Sequence, residues 1–233
     1  MMKPSGYPIL DEKEILYPGD TARVIREAGE VWTMHHTNPA CYGWFILHNP
    51  SSLPDVINGH PAPIILDVGC SLGNSTDNLK YFFPNKRVIG IDISEEHIKT
   101  ARKNYFNCEF MVGNGLCMDE LELTDPVAAI FAYNSIGILA DVYPNSLIGE
   151  VFMKSALKTL ANNGLVAVLG DYVDWFIAQK RNNLFTLVDS ELAFDWRKSV
   201  TYRRFGAALN VTENGLRLVG RPETQGDKFF CLI

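Results

Sequence analysis

Two carboxylates and a glycine-bearing stretch carry the spacing for ligand chemistry: Asp67-Val68-Gly69-Cys70-Ser71-Leu72-Gly73, followed by Asp92. Glycine lets a backbone approach a ligand closely and adopt left-handed turns. A helix that follows such a turn offers N–H groups without intrahelical partners. Asp92 comes ~20 residues after the last glycine, where a nucleoside site uses an acid to accept bonds from both ribose hydroxyls. That chemistry requires the turn to join a strand to a helix, and Asp92 to end the neighbouring strand.

The surrounding text supplies such elements. Ile64–Val68 is a short apolar run of the buried-strand type. Asn74 to Phe83 has helical spacing and stops before Pro84. Arg87–Ile91 is a second strand ending at Asp92, and Ser94-Glu95-Glu96 opens a helix with acids in its first turn. Glu109–Val112 and Val127–Ala132 read as strands three and four. A helix from about Ser146, closed by Asn163-Gly164, leads to a fifth strand, Leu165–Leu169. Alternating strands and helices imply a parallel sheet covered on both faces. Mixed helical text follows from Val173 to Leu192. Leu216–Val219 and Lys228–Ile233 then read as two strands joined by a loop too short for a crossover, hence an antiparallel hairpin. The expectation is an α/β, doubly wound, mostly parallel seven-stranded sheet with an antiparallel C-terminal hairpin.

Three readings of the glycine turn compete. A dinucleotide fingerprint wants G-x-G-x-x-G, and only Gly69 of its three glycines is present. Gly69-Cys70-Ser71-Leu72-Gly73 satisfies the G-x-S-x-G nucleophile elbow literally. That reading needs a histidine late in the chain, and the one histidine beyond Ser71 is His97, inside the second predicted helix. In the third reading, Asp67, Gly69 and Gly73 resemble the acid-x-Gly-x-Gly-x-Gly motif of the class I S-adenosylmethionine-dependent methyltransferases, with Ser71 at the middle glycine. Val88-Ile89-Gly90-Ile91-Asp92-Ile93-Ser94 is similar to the family's second motif, and Met111-Val112-Gly113-Asn114-Gly115 to the segment that meets adenine. The resemblance spans about residues 60–233, in the family's order.

The resemblance implies an S-adenosylmethionine cofactor. Asp67 would organise the loop and the ligand's ammonium end, and Gly69, Ser71 and Gly73 would wrap its methionine part. Asp92 would take the ribose hydroxyls, Ile93 would pack on adenine, and Asn114 with Gly115 would read the adenine edge. Tyr133, after the fourth strand, would face the methyl group. The implied chemistry is in-line displacement at a sulfonium methyl, for which positioning and a dry site matter most. No catalytic base is singled out; His36, Tyr133 and Tyr172 are candidates for the acceptor pocket. Tyr133-Asn134-Ser135 departs from the Asn-Pro-Pro-Tyr type of motif, which removes support for a DNA or glutamine-amide acceptor.

Residues 1–60 differ from the rest, being rich in turn formers, aromatics and histidines such as Trp32, His35, His36 and Tyr42. They are expected to form a lid-like extension to a methyltransferase domain over 61–233; packing on the sheet for stability alone would explain them equally well. The segments 49–54 and 58–63 read as turns. The chain of 233 residues, 47% hydrophobic and 21% charged, has material for a packed core. A net charge of −6 weighs against general nucleic-acid binding. Five cysteines without a CxxC pair define neither a disulfide framework nor a zinc site. No stretch approaches the ~20 apolar residues of a membrane helix, so a soluble cytoplasmic enzyme with a small-molecule substrate is expected. A catalytically silent nucleotide-binding protein acting through partners is the alternative.

Overall fold

Every residue of Ile64–Val68 is buried, as in a strand covered on both faces. In the protein's computed structural model, which describes residues 53–133, 135, 148–169, 175–187, 209–212 and 215–218, this strand, β1, sits inside the sheet. Four helices are described: α1 (Leu53–Gly59), α2 (Asn74–Phe82), α3 (Glu95–Asn104) and α4 (Ile148–Thr159). The other strands are β2 (Arg87–Asp92), β3 (Glu109–Val112), β4 (Val127–Tyr133), β5 (Leu160–Leu169), β6 (Trp175–Arg181), β7 (Leu184–Leu187), β8 (Leu209–Thr212) and β9 (Gly215–Leu218).

The sheet order is β3-β2-β1-β4-β5-β6-β7-β9-β8. The first five strands in that order run parallel, and β6 to β9 join antiparallel. Order reverses beside β1, with β2 on one side and β4 on the other, which is where open α/β sheets bind ligands.

Strand alternation sorts the core into two layers. Ile64, Leu66, Val68, Ile89, Ile91, Ile130, Val166 and Val168 pack on Phe152, Met153 and Ala156 of α4. Ile65, Val88, Ala129, Phe131, Leu165 and Ala167 pack on Leu53 and Ile57 of α1 and Leu79 of α2. On that second face Gly90 of β2 lies beneath α2, and Phe110 of β3 meets Ile98 and Ala101 of α3. Ser94 caps α3 by accepting the His97 N–H at 3.2 Å, as the sequence predicts.

The α/β class and its antiparallel C-terminal strands agree with the sequence reading; the count does not. Nine strands are described rather than seven, because 175–187, expected as mixed helical text, is a pair of strands. Trp175–Arg181 and Leu184–Leu187 form a hairpin around Asn182-Asn183, and Asn182 takes a left-handed φ of 56°, which asparagine tolerates in tight turns. Asn163-Gly164 does not close a helix either. α4 ends at Thr159, and Asn163 (φ 68°) lies in an irregular stretch of β5 where the pairing jumps from Leu160 to Leu165. Leu53–Gly59 is a helix, so residues 53–54 and 58–59 are helical where turns were expected; Pro54 falls in its first turn, where no N–H is needed. The C-terminal hairpin described joins β9 to β8, whereas Lys228–Ile233 lies outside the described residues.

Gly90 is glycine for lack of room. A Cβ there would come 2.6 Å from Thr76 Oγ1, 2.8 Å from Phe110 Cδ1 and 2.9 Å from Cys70 Sγ. Gly90→Ala should destabilise the protein by about 1–3 kcal/mol, as overpacking does. A drop in the urea midpoint checks it, and an unchanged midpoint refutes this packing.

Candidate functional site

The tips of four parallel strands carry the site. The turn after β1 folds over the end of β2, with Gly69 and Cys70 donating N–H groups to Ile91 O at 2.8 and 3.1 Å. Gly69, Ser71 and Gly73 have φ of 75°, 48° and 94°, so three residues of one turn are left-handed. Glycine permits this freely, whereas Ser71 adopts it against its Cβ. Space matters too: a Cβ on Gly69 would sit 2.4 Å from Ser135 Cβ, and one on Gly73 2.8 Å from Tyr105 and 2.9 Å from Phe110.

Asp92 holds this turn in place. Its Oδ2 accepts the Ser71 N–H at 2.9 Å and its Oδ1 the Ser94 N–H at 2.9 Å, so one carboxylate ties the β1 turn to the cap of α3. The Asp92 carbonyl accepts the Gly113 N–H at 2.9 Å, drawing the β3 tip alongside. His97 stands behind, with Nδ1 3.7 Å from Asp92 Oδ1. The Asp92 carboxylate raises the His97 pKa above its ordinary value, against the opposing effect of burial.

Asp67 is buried under the turn at 1% exposure. Its Oδ2 accepts from Ser75 Oγ at 2.6 Å and Thr76 Oγ1 at 2.7 Å, pinning the first turn of α2. On the same face burial, with Asp67 and Asp92 adding to it, pushes the Cys70 thiol well above its usual range. Such a thiol is not a nucleophile at neutral pH.

Asn114 follows the β3 tip, and its Oδ1 accepts the Leu116 N–H at 2.9 Å. The oxygen assigned by resemblance to the adenine edge thus also closes an Asx turn. Ile93, directly after Asp92, and Gly115 are both partly buried. Tyr133 ends β4 and packs on the layer beneath α1 and α2.

The structure therefore brings Asp67, Gly69, Ser71, Gly73, Asp92 and Ile93 together around one turn, with Asn114 and Gly115 on the adjoining β3 tip. Tyr133 is on the far side of β1, while His36 and Tyr172 lie outside the described residues, as does the N-terminal segment through residue 52. Sequence reading missed the residues that support this set. Ser75 and Thr76 hold Asp67, His97 stands against Asp92, and Ser135 donates to Val68 O at 2.8 Å while filling the space over Gly69. Only their places beside strand tips could have flagged them.

The family model for a methyltransferase domain matches residues 65–158. The match falls on the segment that holds Asp67, the Gly69–Gly73 turn, Asp92 and Asn114. Trans-aconitate 2-methyltransferase of Acidovorax sp. (strain JS42) is 40% identical over 73 residues, covering 30% of this chain and 28% of the relative. The enzyme of that name from Yersinia pestis (strain Pestoides F) is 31% identical over 104 residues, covering 45% of this chain and 36% of the relative. The chain thus spans only about a third of the length of these curated relatives. Among solved structures, a plantazolicin methyltransferase in complex with SAH aligns with a TM-score of 0.47 at 16% identity, over 68% of this chain and 58% of that one.

Asp67→Ala would leave the buried Thr76 hydroxyl and the Ser75 hydroxyl without their acceptor. A loss of about 1–3 kcal/mol in unfolding free energy is expected, read by chemical denaturation. A variant as stable as the parent would mean that Asp67 does not anchor α2.

Proposed function

We propose that this protein is an S-adenosylmethionine-dependent methyltransferase acting on a small-molecule acceptor. The observation that carries the proposal is the Asp92 carboxylate, held at a strand tip against the left-handed turn from Gly69 to Gly73 by the Ser71 N–H at 2.9 Å. The residues fit the cofactor. Glycines 69 and 73 have no room for a Cβ. Asp92 has each oxygen engaged by one backbone N–H, and an ionised carboxylate offers about four lone-pair sites. Capacity for two hydroxyl donors is left.

In this reading Asp92 accepts from the ribose hydroxyls and Ile93 packs against adenine. Asn114 and Gly115 border the adenine edge, and Gly69, Ser71 and Gly73 enclose the methionine part. Asp67 keeps the turn and α2 in register and is assigned the ammonium end. When bound, the cofactor supplies an activated methyl group on a sulfonium. The chain's own task is then to align donor and acceptor and keep water out. Tyr133 is assigned the acceptor side because it ends β4; His36 and Tyr172 are assigned the same side on sequence position alone.

A small acceptor fits a chain of net charge −6, which lacks the basic excess that nucleic-acid binding calls for. The relatives named for trans-aconitate add that their own acceptor is small. No helix among the described residues is long and apolar enough to cross a membrane, and we assign the protein to the cytoplasm.

Calorimetry with S-adenosylhomocysteine tests the site. Asp92→Ala should weaken binding about 10- to 100-fold, since hydrogen bonds to a charged group are lost. Unchanged affinity would remove Asp92 from the site. Transfer of a labelled methyl group to small molecules of a cell extract then separates the enzyme from a silent binder, which would bind without transferring.

A further inference from the structure

We infer that His97 is a positioning residue that controls how much of the Asp92 carboxylate is open to ribose hydroxyls, so that nucleoside binding weakens when the imidazole takes a proton. The inference rests on the cofactor reading above.

The geometry is specific. The backbone N–H of His97 is fixed on Ser94 Oγ, so the helix cap sets where the ring stands. Its Nδ1 is buried and has no hydrogen-bond partner among the described residues, although Asp92 Oδ1 lies only 3.7 Å away. A neutral ring protonated on Nε2 presents a lone pair at Nδ1. Two lone pairs facing each other explain both the gap and the unpartnered atom. Adding a proton at Nδ1 converts the pair into donor and acceptor, and a shift of less than about 1 Å closes it to an ion-paired hydrogen bond.

That bond consumes capacity that the ligand needs. Ser71 N–H and Ser94 N–H already occupy one site on each Asp92 oxygen, which leaves about two for the hydroxyls. An imidazolium takes the remaining site on Oδ1, and a charged donor competes better there than a neutral hydroxyl. The proton's entry is governed by few groups. Asp92 from β2, then Glu96 from the ring's own helix, raise the His97 pKa, and burial opposes them. The one charged side chain of β3, Glu109, is bonded to Arg87 at 2.9 Å. The segment Gly113–Cys117 after β3 carries no charge, and the other charged residues of α3 are Glu95, Lys99, Arg102 and Lys103. Because the folded pKa is raised, the His97–Asp92 pair stabilises the protein fully below the unfolded value of about 6.5, and this is lost as pH rises through the higher folded value. Ligand binding should run the opposite way, tightening as pH rises.

Calorimetric affinity for S-adenosylhomocysteine, measured at about pH 8 and about pH 6, tests this on the full chain and on His97→Gln. The parent should lose about 3- to 10-fold on acidification, the worth of one hydrogen bond, and His97→Gln less than about twofold. Equal losses in both proteins overturn the inference and leave the cofactor reading standing. No binding at either pH overturns both. Should His97→Gln not fold, an NMR titration of His97 in the parent decides: saturating ligand should lower its midpoint, by linkage, and an unmoved midpoint refutes the competition.

Discussion

One carboxylate organises the strand-tip end of this molecule. Asp92 joins the turn after β1 to the cap of α3 through two backbone N–H groups, while its carbonyl draws in the β3 tip. An acid placed there satisfies donors that a tight turn and a helix start would otherwise leave exposed. The same charge is what a nucleoside's hydroxyls seek. In the proposed reading structural need and nucleoside recognition fall on one side chain, which the fold already holds in place, so little ordering is left for a ligand to impose.

The layers beneath exist to bring strand tips to one level. Parallel pairing of β1 with β2 and β4 sets Val68 beside Ile91 and Ala132, which aligns the ends of three strands within a residue. The glycines then act as spacers. Gly90 lets Thr76 and Cys70 settle against β2, and Gly73 admits Tyr105 and Phe110 under the start of α2. Asp67 finishes the arrangement by bonding both hydroxyls of the Ser75-Thr76 pair. Packing on this face thus fixes the curvature of the turn that Ser71 completes in a left-handed conformation.

Much of this was legible from the chain. Short apolar runs ending in Asp or Gly located β1 to the residue and β2 to within one, because a buried parallel strand has no polar face to blur its limits. Ser94 announced its helix through local cap chemistry. The second half was harder. Trp175–Leu187 has a length and polarity that fit a helix, and only the asparagine pair at 182 and 183, a turn former, marked the hairpin. Asn163-Gly164 looks like a helix stop, but it serves an irregular stretch in β5 that tertiary pairing imposes. Within the candidate site, the residues assigned to the ligand have motif spacing. Those that brace them, such as Ser135 and His97, are set by contacts between distant segments, and sequence spacing carries no trace of such contacts.

The contact between Ser135 and Gly69 links two halves of the proposed pocket that need not otherwise communicate. Ser135 comes just after β4, on the side assigned to the acceptor, yet its hydroxyl bonds the last carbonyl of β1 and its Cβ lies against the glycine that starts the cofactor turn. A larger residue at 135 would be felt in that turn at once. Position 135 is therefore the point at which a change beyond the β4 tip is transmitted to the turn after β1.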